Sequence, residues 1–405
     1  MGGYYLNIII QKFGGTSVST KDKKNQVVAK VKKAIENGYK PVVVVSAMGR
    51  LGEPYATDTL LSLIDDDYKK NNLQGTDLIM CCGEIISTVI MSNELISAGI
   101  KSIPLTGGQA GIITDNSFSD ASIKYIKKET ILNYLEEGII PVVSGFQGIS
   151  EDGYLTTLGR GGSDTSACIL GSALKANLIE IYTDVDGMMT ADPRIVNNAT
   201  LIENISYTEV FQLANQGAKV IHPRAVSFAK EANIPIYVKN TMTNSIGTLI
   251  DNIEESKKDK FITGITHLSN RTQVIIRYEE NLESKYYRVL LDKIAKNNIS
   301  LDLINIFPTE QIFTIDSNSN IKLISLLKKL SIKYSIKEYC SKIAIVGIGM
   351  MGVAGIMAKI MNTLSKQKIE VLQTADSNMT IWCLIEDKNL NKAMNLLHEA
   401  FKLGE

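Results

Sequence analysis

Over the first 250 residues, short unbroken apolar runs alternate with longer stretches in which apolar side chains return every three or four positions. The unbroken runs, 8–11 (IIIQ), 41–46 (PVVVVS), 141–144 (PVVS) and 179–183 (IEIYT), have the pattern of strands buried on both faces. The periodic stretches at 21–37, 77–98, 122–137 and 165–175 predict helices, the first with a lysine-rich outer face. Together they predict an α/β sandwich around a mostly parallel sheet. In such a sheet, ligand chemistry gathers where the C-terminal ends of strands meet glycine loops.

The texture changes after residue 250. Residues 251–260 (DNIEESKKDK) are polar and charged, the composition of a linker. Beyond them the pattern predicts eight strands, at 261–268, 272–278, 299–306, 311–316, 333–339, 342–346, 370–376 and 379–385. Helices are predicted at 284–297, 320–331, 353–367 and 388–402. This amounts to two βαββαβ units, except that the first has a strand too many and the second a strand too few. Interleaving repairs the count: 269–340 form the first unit, and 261–268 join 341–405 in the second.

The chain has 405 residues, enough for two or three domains, with 44% hydrophobic and 21% charged residues, as in globular proteins. Lys+Arg and Asp+Glu both total 43, so charge gives no argument for nucleic acid or an anionic membrane as partner. The uncharged run 343–358 is too short and too glycine-rich to span a bilayer, and no targeting segment is legible. Five cysteines without metal spacing, an odd number with one adjacent pair, fit a reducing cytoplasm.

The candidate chemistry clusters in the first part. LGRGGSDTSA (158–167) joins a strand and hairpin to a helix, and its glycines leave backbone N–H groups uncovered beside Arg160 and Asp164. KFGGTS (12–17) follows the first strand; a lysine beside paired glycines suits phosphate, although the spacing is not that of a Walker loop. Glu84, at the start of an apolar helix, and Arg160 form a carboxylate and guanidinium set matching the ammonium and carboxylate of a free amino acid. TDVDG (183–187) and TADPR (190–194) place acids and Arg194 after a strand, as ribose and phosphate contacts would require. Each piece alone also fits an ordinary turn or a solvated charge. His222, before a proline, is read as a helix-end residue, and no nucleophile–histidine pair is legible. The run 343–352 carries a GxGxxG dinucleotide fingerprint, but only 64 residues remain from Lys342 onward, too few for a dinucleotide domain.

Taken together, KFGGTS (12–17), VVVVSAMG (42–49), GE (83–84), TTLGRGGSDTSA (156–167), YTDVDG (182–187), ADPR (191–194) and GAKVIHPRA (217–225) resemble aspartate kinase. The resemblance implies an amino-acid kinase domain over 1–250 followed by two ferredoxin-like ACT domains. It implies Mg²⁺ and ATP as cofactors, with Lys12, Gly14, Gly15 and Ser46 along the phosphate path and Asp164 orienting Lys12. Thr183, Asp184, Arg194 and Lys219 correspond to nucleotide-binding positions. Arg160 would take the α-carboxylate of L-aspartate and Glu84 its ammonium, with no dedicated metal ligands. The product would be 4-phospho-L-aspartate, on the route to lysine, threonine and methionine. The resemblance further implies a homodimer or homotetramer through the ACT domains, inhibited by lysine and/or threonine, with Asp302 and Asn305 as candidate effector ligands. Met189 stands where the family often has tyrosine near the nucleotide.

Overall fold

The structure, a computed structural model, describes residues 6–218, 220–252, 261–277, 285–348, 350 and 353–405. The chain divides into two compact units: Met1–Met188 with Leu201–Ala214 and Lys219–Glu254, and Met189–Thr200 with Asn215–Ala218 and Glu255–Glu405. Two short segments within 1–250 therefore group with the second unit.

The first unit runs through β1 (Ile8–Phe13), α1 (Lys21–Glu36), β2 (Lys40–Val45), α2 (Thr57–Leu61), α3 (Asp66–Asn71) and α4 (Leu73–Ser97). It continues with β3 (Ser102–Leu105), β4 (Ile112–Thr114), β5 (Ile123–Ile126), α5 (Glu129–Glu136), β6 (Ile140–Ser144), β7 (Gln147–Ser150) and β8 (Leu155–Thr157). The remainder is α6 (Gly162–Leu174), β9 (Leu178–Thr183), β10 (Asn204–Ser206), α7 (Tyr207–Asn215), α8 (Pro223–Ala232), β11 (Ile236–Asn240) and β12 (Thr248–Asp251). Eight of these strands form one sheet in the order β10-β12-β11-β9-β1-β2-β6-β3, and all its pairings except β11–β12 are parallel. The central strands are the unbroken apolar runs: Ile8, Ile9 and Ile10 in β1 and Val42 to Val45 in β2 are buried, because helices cover both faces. On one face Val27 and Val31 of α1 and Met91 and Leu95 of α4 close over Phe13, Val43 and Val45. Each such side chain contributes about 1.5–3 kcal/mol by burial. Strands β5, β4, β7 and β8 form a smaller sheet.

Two expectations for this unit need correction. The stretch 122–137 is not one helix: Ile123–Ile126 is a strand on β4, and the helix begins only at Glu129. Ile123 and Tyr125 flank Lys124 with period two, a strand signal that the longer helical window masked. The helix expected at 77–98 begins at Leu73, where the Asn72 side chain accepts from Gly75 N–H at 2.9 Å. Glu84 therefore lies inside the helix rather than at its mouth. Helix α4 is long and apolar enough to cross a bilayer, yet Asp77 and Glu84 are buried along its inner face.

The second unit comprises β13 (Gly264–Arg277), α9 (Lys285–Lys296), β14 (Asp302–Ile306), β15 (Glu310–Asp316), α10 (Asn320–Lys329), β16 (Tyr334–Val346), α11 (Ile356–Lys366), β17 (Val371–Asp376), β18 (Thr380–Glu386) and α12 (Leu390–Ala400). Its six strands form one sheet in the order β14-β15-β13-β16-β18-β17, with every pairing antiparallel. The eight strands expected from the sequence become six because 261–268 and 272–278 fuse into β13, and 333–339 and 342–346 into β16. Asn270 (φ 59°) and Tyr339 (φ 56°) sit at the joins in left-handed conformations. These make bulges, which bend a strand without reversing it. Gly264 to Leu268 pair with Lys342 to Val346, and Gln273 to Ile276 pair with Tyr334 to Lys337. Residues 253–260, and with them most of the linker, lie outside the described residues.

Candidate active site

Strands β1, β2, β6 and β9 run parallel, so the loops after Phe13, Val45, Ser144 and Thr183 open at one edge of the sheet. These loops are laced together by their backbones. Gly14 N–H donates to Tyr182 O at 3.1 Å, Ser46 N–H to Phe13 O at 3.1 Å, and Gly49 N–H to Gly15 O at 3.0 Å. Gly15 is there because nothing larger fits: a Cβ would lie 2.4 Å from the Ala47 carbonyl oxygen. The Ser46 hydroxyl has no partner among the described residues.

Lys12 lies near the end of β1, paired on both sides, and its Nζ is 2.7 Å from Asp164 Oδ1. Both side chains are nearly buried, at 12% and 13% exposure. Asp164 occupies the first turn of α6, where a carboxylate meets the positive end of the helix dipole. The residue before that helix, Gly161, has φ 70°, and a Cβ there would come 2.2 Å from the His222 ring. A side chain at this position would be strained and would clash. His222 caps α8, accepting from Arg224 N–H, and burial lowers its pKa.

Glu84 is 2% exposed. Its Oε1 accepts from Ala47 N–H at 3.2 Å and more weakly from Thr57 Oγ1 at 3.5 Å, while Oε2 has no partner among the described residues. Burial pushes its pKa up to about 7, against the opposing pull of the Ala47 hydrogen bond. Ala47 thus touches the glycine loop at Gly15 on one side and Glu84 on the other.

Arg160 is exposed and makes no hydrogen bond or ion pair among the described residues. It lines a cleft of about 620 Å³ with Ser119, Asp120, Ser122, Gly159, His222 and Arg224. Arg224 pins the cleft walls together, donating to Leu158 O at 3.0 Å and Ala121 O at 3.2 Å. Cleft, Lys12–Asp164 pair and Glu84 all belong to the first unit, and the turn into α6 connects the first two: Arg160 lies two residues before the helix and Asp164 in its first turn.

The remaining candidates divide. Thr183 and Asp184 follow β9; the Asp184 carboxylate is held by Arg50 at 2.7 Å, a surface pair across the glycine loops that the sequence reading missed. Arg194 is not in the first unit. It forms a two-pronged pair with Asp192, at 3.0 and 2.7 Å, on the segment that groups with the second unit. That bond holds the Asp192 carboxyl below its ordinary range. Lys219 lies outside the described residues. In the second unit, Asp302 pairs with buried Lys342, and Asn305 accepts from Gln373 Nε2 at 2.6 Å. The sequence also gave no signal for Asp77, whose importance depends on loops distant in the chain.

A lysine among glycine loops, a buried acid and a guanidinium with no partner among the described residues, all carried by the first unit, offer charges complementary to phosphate and to a small zwitterion. Residues 7–240 match the amino acid kinase family and 335–399 an ACT domain. Aspartokinase 1 of Bacillus subtilis is 42% identical over 408 residues, covering 99% of this chain and 100% of that protein. The aspartokinase of Geobacillus stearothermophilus is 37% identical over 409 residues, covering 99% and 98%. Among solved structures, Clostridium acetobutylicum aspartate kinase superposes with a TM-score of 0.78 at 26% identity, covering 98% of this chain and 100% of that one. E. coli aspartokinase III, in complex with aspartate and ADP in its R-state, shares the fold with a TM-score of 0.78 at 24% identity, covering 97% and 99%. Its T-state complex with lysine and aspartate gives 0.76 at 24%, covering 98% and 99%. The chain belongs to the aspartokinase family.

Proposed function

We propose that the chain transfers the γ-phosphoryl group of MgATP to the side-chain carboxylate of L-aspartate, giving ADP and 4-phospho-L-aspartate. A carboxylate oxygen attacks phosphorus in line as the bond to the ADP oxygen breaks. With an unperturbed pKa of about 3.9 the nucleophile is ionised at neutral pH and needs no general base. Catalysis is then positioning and charge neutralisation. Lys12 leans toward the charge gathering on the transferring group, and Asp164 holds it there. Gly14, Gly15 and Ser46 line the phosphate path, with Thr183 and Asp184 beside the nucleotide. Arg160 takes the α-carboxylate of aspartate and Glu84 its ammonium. Mg²⁺ enters with ATP, carried mainly on the phosphate oxygens as part of the substrate.

The observation that carries this reading is the Lys12–Asp164 pair at strand ends whose glycine loop is tied through Ala47 to buried Glu84. The test is hydroxamate formation from ATP, aspartate and hydroxylamine by the purified protein. Absence of ATP-dependent hydroxamate overturns the reading.

Regulation by an end-product amino acid follows from the ACT domain, and lysine, alone or with threonine, is the proposed effector, in a homodimer or homotetramer joined through that unit. Asp302 and Asn305 are its candidate ligands. Five free cysteines fit a cytoplasmic enzyme. Activity unchanged by millimolar lysine, alone or with threonine, removes the effector assignment.

A further inference from the structure

Asp77 is fully buried on α4, seven residues before Glu84, or roughly 10 Å along the helix axis. No cation pairs with it among the described residues. Its oxygens instead collect donors from two loops. Oδ2 accepts from Thr157 N–H at 2.8 Å and Oδ1 from the Thr157 hydroxyl at 2.9 Å. Ser119 N–H reaches both oxygens at 3.0 Å, and the Ser119 hydroxyl reaches Oδ1 at 3.3 Å. Ser119 has φ 72°, a left-handed conformation that a non-glycine residue keeps only when held.

These segments form two of the three walls of the Arg160 cleft, His222 and Arg224 forming the third. Ser119 lines it directly, and Thr157 ends β8 three residues before Arg160. A third tie, Ala121 N–H to Thr157 O at 2.8 Å, joins the segments to each other. A buried carboxylate is a costly way to fill space, and an amide could not replace it, because its NH₂ would face the Thr157 or Ser119 N–H.

We infer that Asp77 is a positioning residue for the substrate's α-carboxylate: it fixes the loops at Ser119 and Thr157 and thereby the place of Arg160. Helix α4 then carries the reference points for both poles of the zwitterion, Glu84 for the ammonium and Asp77, acting through Arg160, for the carboxylate. The inference rests on the reading of Arg160 as the carboxylate clamp.

Steady-state kinetics of Asp77→Asn and the milder Thr157→Val, each alone and combined with Arg160→Ala, test it. Losing a hydrogen bond to a charged group corresponds to about tenfold. Asp77→Asn is therefore expected to raise KM for aspartate about tenfold, leave KM for ATP within about twofold, and add nothing to Arg160→Ala. Thr157→Val should do the same more weakly, and it carries the comparison if Asp77→Asn does not fold. Equal increases in both KM values, no change in either, or an effect that persists in the Arg160→Ala background would overturn the role of Asp77. If Arg160→Ala itself leaves KM for aspartate unchanged, the clamp reading fails first and the inference falls with it.

Discussion

Lys12–Asp164 in the first unit and Lys342–Asp302 in the second are the same two charges in opposite settings. In the first pair both partners are nearly but not wholly buried, at 12% and 13%, at the edge where parallel strands give way to glycine loops. In the second the lysine is 3% exposed, with its ammonium 5.9 Å from the Trp382 ring, while Asp302 is 38% exposed. An anion arriving at the first pair can draw Lys12 away, because Asp164 still has the first turn of α6 to stabilise it. Nothing can reach Lys342 so readily. In the second pair the reachable partner is the acid, which suits exchange of one ammonium for another. Which half of an ion pair is open decides which ligand charge can compete for it.

Four experiments break or sharpen that contrast. The largest effect belongs to Lys12→Met, expected to lower kcat by about a thousandfold, the scale of removing a group that neutralises transition-state charge. A kcat within tenfold of the parent would mean that the exposed edge of this pair is not the phosphate site. Next, Arg160→Ala should raise KM for aspartate about a hundredfold through loss of a charge-assisted contact, with KM for ATP little changed. Equal loss of both substrates would argue against the clamp.

At the other pair, Lys342→Met removes the internal ammonium. It should leave basal kcat within about twofold and tighten inhibition by lysine about tenfold, since the effector's amine no longer competes for Asp302. Weakened or unchanged inhibition would show that Asp302 does not receive the effector.

The smallest effect concerns pH. Burial raises the Glu84 pKa from 4.5 to about 7, so its grip on an ammonium strengthens as pH rises through 7. kcat/KM for aspartate should rise severalfold between pH 6 and 8, and Glu84→Gln should flatten that profile. The stability linkage has the opposite sign. A carboxyl whose folded pKa lies above its unfolded value stabilises fully below about 4.5 and loses that contribution as pH rises through about 7. Aspartate should therefore raise Tm more at pH 8 than at pH 6. An equal Tm shift at both would remove Glu84 from the ammonium site.

Legibility followed the range of the interactions. The strands of the first unit were visible because burial on both faces writes an unbroken run such as 42–45, and Lys12 because the glycines beside it must admit a close backbone. The strand Ile123–Ile126 was hidden because a short strand against β4 is stabilised across the sheet, while its flanks suit a helix. For Arg194 the sequence offered the ADPR run and with it the expectation of a nucleotide contact; what it did not record is that the segment groups with the second unit, where Ala191 and Val196 join the core. Arg50 and Asp77 carried no signal, since neither side chain has a hydrogen-bond partner within thirty residues among the described residues.

From its sequence alone the chain determined its layers, the lysine among its glycine loops and its family, because hydrophobic period and glycine placement act within a few residues of themselves. Only the tertiary structure decided that the last third is one six-stranded sheet, that Glu84 is buried deeply enough to hold its proton near neutrality, and that Asp302 already has a partner. Those outcomes depend on which residues from distant segments exclude water together, and no local pattern records that.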